Sequence, residues 1–298
     1  MTCSVIFIKS LQPMNIFFMI FGEKAVHHVQ AYLSIRTFQK QLGPDDQIFV
    51  MATHPELYAS SGVEVIPISD DTITEWKGKH GFFWRAKIKA IEYMAVHYPD
   101  HHLMYLDTDT ILYGSLSDLK RCLDEGCGLM HLNEGHPSEM TSRSLRMWRQ
   151  VEGHTYGNVT IGKQHCMYNA GVVAIPKDKL TAVSQLALTL CDGMLAEDVE
   201  RVTIEQYSLS IALYERTSLQ EADKFIGHYW GNKPEWEAIA YELMARAYME
   251  KLTIEEELAR IDIETLRQTP YYIHHSSTAR RLKGLIDSCF KDKDLKYL

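Results

Sequence analysis

LMYLDTDTIL, residues 103–112, is an apolar run that leads into two aspartates one residue apart, Asp107 and Asp109. Such a run predicts a strand buried in a mostly parallel sheet. Residues two apart in a strand point to the same face, so the two carboxylates are expected to converge where the strand ends. That edge is where α/β folds bind ligands, and paired carboxylates there suit a divalent cation shared with a phosphate. A polar turn after the strand is the alternative, because aspartate is a common turn residue.

A second polar segment, IGHYWGNKPEW, covers residues 226–236. It places His228, Gly231 and Lys233 on one short stretch that Pro234 closes. An imidazole can bind a metal ion, a glycine lets a ligand approach the backbone, and a lysine supplies a positive charge for a phosphate. Such a loop is suited to hold a metal ion and a diphosphate together.

These two segments resemble the motifs of the family 8 retaining glycosyltransferases, the glycogenin and lipopolysaccharide galactosyltransferase group, which have the GT-A fold. Two further blocks follow the family's order. One is Tyr168-Asn169-Ala170-Gly171, similar to the strand that borders the donor sugar, and the other is Glu205-Gln206, where the family has an acidic residue followed by Gln at a helix start. The four blocks fall within residues 15–236.

The resemblance implies a metal-dependent hexosyltransferase that moves a sugar from a nucleotide-diphosphate donor, a UDP-sugar, to a hydroxyl of a saccharide or glycoconjugate acceptor, with retention. Mn²⁺ is favoured over Mg²⁺, because an imidazole would join the carboxylates. The implied metal ligands are Asp107, Asp109 and His228. The implied donor-binding residues are Arg85, Lys87, Asp107, Thr108, Asn169, Gly171, Gly231 and Lys233. Catalysis is assigned to Gln206, Glu205 and Asn169, and Gln206 can orient the sugar but cannot act as a base, because an amide does not titrate.

The order of elements predicts an α/β fold, with a mostly parallel central sheet flanked by helices and a C-terminal helical appendage. Strands are expected at residues 15–21, 47–52, 63–68, 103–112, 126–132 and 167–175. Helices are expected at residues 25–42, 83–98 and 203–214, with a mobile or helical segment at 141–151 and a helix start at Thr253. The resemblance places the GT-A catalytic domain at residues 14–236, and residues 237–298 form a helical extension packed on the same domain.

Charge and cysteine content narrow the classes of partner and compartment. A net charge of −8 and a pI near 6.0 argue against a nucleic-acid partner, which would require a basic face to neutralise phosphates. The six cysteines show no paired spacing, which favours reduced thiols in a cytoplasmic protein. Residues 16–21 are interpreted as the first strand rather than a weak signal peptide. Weak association with the inner face of a membrane through Arg280, Arg281 and Lys283 is the alternative to a plain solvated helix.

Two other functions use the same residues. A non-catalytic nucleotide-sugar binding protein would need the same contacts, and a turnover assay discriminates it from an enzyme. Haloacid dehalogenase-type phosphatases also place Asp-x-Asp after an apolar strand. Their motif begins the catalytic domain, whereas about a hundred residues precede Asp107 here, so this alternative is disfavoured. The adjacent histidines His27 and His28 are assigned structural roles, because neighbouring residues on a helix point apart.

Overall fold

The computed structural model describes residues 11–273 as alternating strands and helices. The strands are β1 (Met14–Ile20), β2 (Gln47–Ala52), β3 (Glu64–Pro67), β4 (His102–Leu106), β5 (Thr110–Leu112), β6 (Cys127–Met130), β7 (Asn133–Gly135), β8 (Thr155–Tyr156), β9 (Val159–Thr160), β10 (Met167–Tyr168), β11 (Val172–Ile175), β12 (Ser218–Glu221) and β13 (Ile226–His228). The helices are α1 (Ala25–Gln39), α2 (Asp70–Trp76), α3 (Arg85–His97), α4 (Leu116–Asp124), α5 (Ser142–Val151), α6 (Leu180–Ala196), α7 (Ile204–Arg216), α8 (Lys233–Glu250), α9 (Ile254–Arg260) and α10 (Ile263–Leu266).

Seven strands form the central sheet in the order β12-β6-β11-β4-β1-β2-β3. The pairs β1–β2, β1–β4, β2–β3 and β6–β12 are parallel, whereas β11 is antiparallel to both of its neighbours. Six strands therefore run in one direction and β11 alone is reversed. This confirms the predicted α/β class with a mostly parallel sheet flanked by helices.

Side chains alternate between the two faces of the sheet with the period of two that a strand dictates. On β1, Phe17 and Met19 pack into one buried apolar cluster, while Ile16 and Phe18 pack into the other. The parity continues on β4, where Tyr105 lies on the Phe17 side. Burial of both faces explains why β1 and β4 are continuous apolar runs in the sequence.

A third apolar cluster joins α1 to α8 and the segment that follows it. Val29 and Leu33 of α1 pack with Trp236 and Ala240 of α8 and with Leu266. The C-terminal helices are thus part of the same packed body, and the boundary drawn between residues 236 and 237 falls inside α8. Thr253 caps α9 in a capping box with Glu256, as predicted from the sequence.

Two predicted strands are each interrupted by a polar turn. In residues 103–112, β4 ends at Leu106 and β5 begins at Thr110, whose hydroxyl donates to the Asp107 carbonyl at 2.8 Å. In residues 167–175, Asn169 separates β10 from β11, because its side-chain oxygen accepts the Gly171 N–H at 3.0 Å. Side chains that bond to nearby backbone groups compete with a continuous strand ladder. Asp107 and Asp109 consequently lie in a turn and not on one face of a strand.

Other expectations have simple outcomes. The segment at residues 141–151 is helical, as α5, and the apolar stretch 16–21 lies within or next to β1 in the middle of the sheet. Within residues 11–273 no helix combines the length and apolar character needed to cross a bilayer. Arg280, Arg281 and Lys283, on which the membrane-surface prediction rests, lie outside the described residues.

Candidate metal and ligand site

A cleft of about 310 Å³ opens at the carboxyl ends of β1 and β4. The end of β1, the start of α1, the turn after β4 and the segment after β13 all contribute to its lining. The lining residues are Met19, Ile20, Phe21, His27, Gln30, Trp84, Tyr105, Asp107, Thr108, Asp109, Asn169, His228, Trp230 and Lys233. Six of the residues predicted from the sequence line this cleft: Asp107, Thr108, Asp109, Asn169, His228 and Lys233.

Asp109 is the buried carboxylate of the cleft. Its Oδ1 lies 3.2 Å from His228 Nε2, and its Oδ2 lies 2.8 Å from Lys233 Nζ. Burial opposes ionisation of this carboxyl, but the hydrogen bond from His228 and the charge of Lys233 outweigh it and hold the pKa of Asp109 well below its usual range. Asp109 is therefore a fixed negative charge at neutral pH.

His228 reaches Asp109 because of strand pairing. β13 pairs antiparallel with β5, which sets His228 opposite Thr110, and the next backbone N–H, of Tyr229, donates to the Asp109 carbonyl at 3.0 Å. The ring also needs room on its other side: a Cβ on Gly171 would lie 2.2 Å from His228 Cε1. Only glycine at position 171 leaves room for the His228 ring in this position.

Asp107, Asp109 and His228 form a group that fits a divalent cation. One ligand atom from each residue lies within 4.8 Å of the other two. Ligands bound to one hard cation at about 2.0–2.6 Å are separated by at most about twice that distance. His228 Nδ1 lies 3.0 Å from Asn169 Oδ1, which can accept its proton. If a cation replaced the contact between Nε2 and Asp109, Nε2 would then be available as a metal ligand. Two carboxylates and an imidazole are a donor set that could hold a divalent metal ion.

The buried residue Lys87 forms an ion pair with Asp107. Lys87 Nζ lies 3.2 Å from Asp107 Oδ1 and 3.8 Å from Glu205 Oε1, and it donates to the Ala170 carbonyl at 3.2 Å. Burial lowers the pKa of Lys87, but the charges of Asp107 and Glu205 outweigh it and raise that pKa overall. The Tyr105 hydroxyl donates to the same Asp107 oxygen at 2.7 Å. Lys87 therefore positions Asp107 and is not itself a lining residue.

Glu205 and Gln206 lie at the first turn of α7, behind the cleft lining. Burial raises the pKa of Glu205, an effect that the charge of Lys87 opposes. Gln206 Nε2 donates to Glu134 Oε2 at 2.7 Å, and Asn169 Nδ2 donates to Glu134 Oε1 at 2.9 Å. Asn169 lines the cleft, whereas Gln206 is not among the lining residues and is linked to Asn169 through Glu134.

The remaining predicted donor-binding residues differ in whether they line the cleft. Thr108 lines the cleft and donates to Gln30 of α1 at 3.0 Å. Arg85 is outside the cleft lining, and its guanidinium donates to both carboxylate oxygens of Asp192 at 2.6 and 2.9 Å. Gly231 forms an isolated bridge with Tyr272, and a Cβ there would lie 2.0 Å from the Tyr272 ring. A donor contact by Arg85 or Gly231 stays a prediction.

Several residues of the site were not predicted from the sequence as site residues. His27 and Gln30 lie near the start of α1, a helix that follows a parallel strand, which is a usual ligand position and therefore a signal that was present. Trp84 and Trp230 line the cleft with about half of each side chain exposed. Tyr229, by contrast, is fully buried and stacks on Trp236, so it belongs to the core and not to the cleft.

No protein-family model matches this chain, and no similar protein is found among the curated ones. The chemistry that the cleft can perform is therefore inferred from its own residues.

Proposed function

We propose that this protein is a metal-dependent glycosyltransferase with the GT-A fold, of the family 8 type, which transfers a hexose from a UDP-sugar to an acceptor hydroxyl with retention. One observation carries the proposal: the ligand atoms of Asp107, Asp109 and His228 converge within 4.8 Å beside a lysine, in a cleft at the carboxyl ends of parallel strands. Binding of a cation and a diphosphate is the chemistry that this combination favours.

The leaving diphosphate accounts for the charges of the cleft. A bound divalent ion, Mn²⁺ in preference to Mg²⁺, supplies Lewis-acid stabilisation of the charge that develops on the phosphates. Asp107, Asp109 and His228 would hold that ion. Lys233 contacts Asp109, and its side chain is 44% exposed, so it can exchange this contact for a donor phosphate oxygen. Lys87 and Tyr105 keep the Asp107 carboxylate in place.

The sugar side of the cleft supports retention. An inverting transfer needs a carboxylate base that reaches the acceptor hydroxyl. Glu205 is buried against Lys87 and does not line the cleft, so it is badly placed for that role. Asn169 lines the cleft and can bind sugar hydroxyls. Gln206 is not among the lining residues and shares the Glu134 carboxylate with Asn169, and its amide cannot act as a base because it does not titrate. We assign Asn169 to the sugar and Gln206 to the support of Asn169, with Glu205 neutralising Lys87.

The acceptor is proposed to be a saccharide or glycoconjugate. Trp84 and Trp230 expose large aromatic surfaces at the cleft, and such surfaces suit the apolar faces of ring-shaped ligands. A cytoplasmic location, with weak binding to the inner face of a membrane, belongs to the same proposal.

Two alternatives use the same cleft. A non-catalytic nucleotide-sugar binding protein would keep every contact described above and show no turnover. A haloacid dehalogenase-type phosphatase is disfavoured by the position of the motif in the chain, because β4 follows three other strands, whereas the phosphatase motif begins the catalytic domain. No observation of the cleft favours either of them over the transferase.

A screen of nucleotide sugars tests the proposal. We expect release of the nucleoside diphosphate from a UDP-sugar when Mn²⁺ is present, and loss of that release when a chelator is added. Binding of a nucleotide sugar without release, across sugars and saccharide acceptors, would identify a binding protein. Release of inorganic phosphate from phosphomonoesters would point to the phosphatase alternative.

A further inference from the structure

The acidic residue Glu134 of β7 joins the amide side chains of Asn169 and Gln206. Its Oε1 accepts from Asn169 Nδ2 at 2.9 Å, and its Oε2 accepts from Gln206 Nε2 at 2.7 Å. A carboxylate only accepts hydrogen bonds, so both amides must turn their NH₂ groups toward Glu134. Their carbonyl oxygens are thereby fixed in the opposite directions.

The orientation of the Asn169 amide determines which of its atoms faces His228, the proposed metal ligand. With its NH₂ group on Glu134, Asn169 Oδ1 accepts the Gly171 N–H at 3.0 Å and faces His228 Nδ1 at 3.0 Å. A metal-binding imidazole depends on an acceptor at its second nitrogen, which fixes the ring and the nitrogen that carries the proton. A reversed Asn169 amide would present NH₂ to that nitrogen and would remove this acceptor.

Glu134 is placed by backbone bonds and not by chance contact. It lies on β7, which pairs with β10 directly before Asn169. The Asn169 N–H donates to the Leu132 carbonyl at 2.8 Å, and the His131 N–H donates to the Asn169 carbonyl at 3.1 Å. The two segments are thus held together on both sides of the Glu134–Asn169 contact, which makes the distance between these side chains a property of the fold.

We propose that Glu134 is a positioning residue that orients Asn169 and Gln206, and through Asn169 the metal ligand His228. The proposal deepens the proposed function, on which it rests for the role of the metal. It assigns Glu134 no contact with donor or acceptor. Substitution of a residue that orients a metal ligand in this way typically lowers metal affinity or activity 10–100-fold.

Two variants remove this carboxylate to different degrees. Glu134→Leu has similar size and no acceptor, so both amides lose their partner. Glu134→Gln keeps the shape but offers one oxygen and one NH₂ group, so one of the two amides must lose its bond. The matched control is Glu221→Gln, because Glu221 accepts from the neighbouring Asn133 N–H at 2.8 Å and a glutamine oxygen can still accept it.

Two measurements need no donor. Titration with Mn²⁺, followed by electron paramagnetic resonance of the free ion, should show affinity about tenfold or more weaker in Glu134→Leu and unchanged in Glu221→Gln. Side-chain amide resonances of Asn169 and Gln206 in ¹⁵N–¹H spectra should both shift in Glu134→Leu, and at least one should shift in Glu134→Gln.

The result that overturns the proposal is a folded Glu134→Leu protein with the Mn²⁺ affinity and amide resonances of the parent. Should Glu134→Leu not fold, unchanged amide resonances in Glu134→Gln overturn it. Weakened Mn²⁺ binding in Glu134→Leu supports the proposal even where no nucleotide sugar is turned over, so its outcome is distinct from that of the transferase assignment.

Discussion

Two aspartate–lysine pairs lie at opposite ends of the strands of the central sheet. Their aspartates are similarly buried, but the two carboxylates contact different kinds of group. Asp46, directly before β2, and Asp109, after β4, expose only 2% and 7% of their side chains. Asp46 accepts from Lys120 Nζ at 2.6 Å and from the backbone N–H groups of Met14 and Gly43 at 2.9 and 2.8 Å. The carboxylate of Asp109 contacts the side chains of His228 and Lys233, and it borders a cleft.

Burial alone therefore does not distinguish a functional carboxylate from a structural one. The oxygens of Asp46 are bonded to backbone donors that belong to the fold, so this pair is closed and stabilises the junction of β1, β2 and α4. Asp109 is bonded to the ends of two side chains that can exchange partners, and a second carboxylate, Asp107, lies close by. An open pair of this kind can bind a cation without loss of a structural bond.

The largest expected effect is on catalysis at the open pair. Asp109→Ala should reduce metal-dependent turnover of the donor at least 1,000-fold, about 4 kcal/mol, because it removes a metal ligand. The same variant should cost the fold only about 1–2 kcal/mol, since water can fill its place from the cleft. Equal turnover by the variant and the parent, with or without chelator, would contradict the metal-site assignment.

The closed pair should behave in the opposite way. Asp46→Ala leaves Lys120 and two backbone N–H groups without their acceptor, and such a loss in a buried ion pair costs about 3–5 kcal/mol. Chemical denaturation measures this cost, and the Mn²⁺ affinity of the remaining folded protein should equal that of the parent. A stable Asp46→Ala protein with weakened Mn²⁺ binding would remove the distinction between the two pairs.

A third prediction separates Gln206 from Glu205, which with Lys87 forms another buried pair. Gln206→Ala should slow transfer about 100-fold, about 2.7 kcal/mol, while donor binding persists. An α-linked donor should give an α-linked product in parent and variant, as read from the anomeric proton by NMR. A β-linked product would overturn the retaining assignment and make Glu205 the candidate base.

The smallest expected effect comes from Lys233. Lys233→Ala should weaken donor binding and slow transfer by about 1–3 kcal/mol, through loss of a charge-assisted hydrogen bond to the phosphate. Thermal stability without ligand should change little, because this lysine is partly exposed. A variant that melts much earlier but binds the nucleotide sugar normally would show that Lys233 belongs to a structural pair like that of Asp46.

The sequence allowed prediction of those parts of the fold that depend on local patterns. The strand at β1, the helix α1 and the cap at Thr253 follow from apolar runs, periodicity and capping residues within a few positions. Helix α6 was missed, because it is apolar on most sides and has no side-chain cap. Helix α4 was also missed, although the sequence indicates it, since Ser115 caps a strongly amphipathic segment.

The motifs predicted that Asp107, Asp109 and His228 lie together, but they did not indicate the residues that support these three. Asp107, Asp109 and His228 were found by motif, although the strand geometry expected for the two aspartates was wrong, because the chain turns at Asp107. Glu134 and Gln30 act through partners 35 and 78 positions away, Asn169 and Thr108. Contacts of that separation are set by the sheet order, which a single sequence does not encode in any local pattern.

Binding of one divalent ion by Asp107, Asp109 and His228 can be observed in a crystal. The measurement is X-ray diffraction at the manganese absorption edge, from crystals grown with Mn²⁺ and UDP. We expect one anomalous peak about 2.0–2.6 Å from an oxygen of each aspartate and from His228 Nε2, with phosphate oxygens of UDP completing its shell. A cleft that binds UDP with no anomalous peak between these three residues would contradict it.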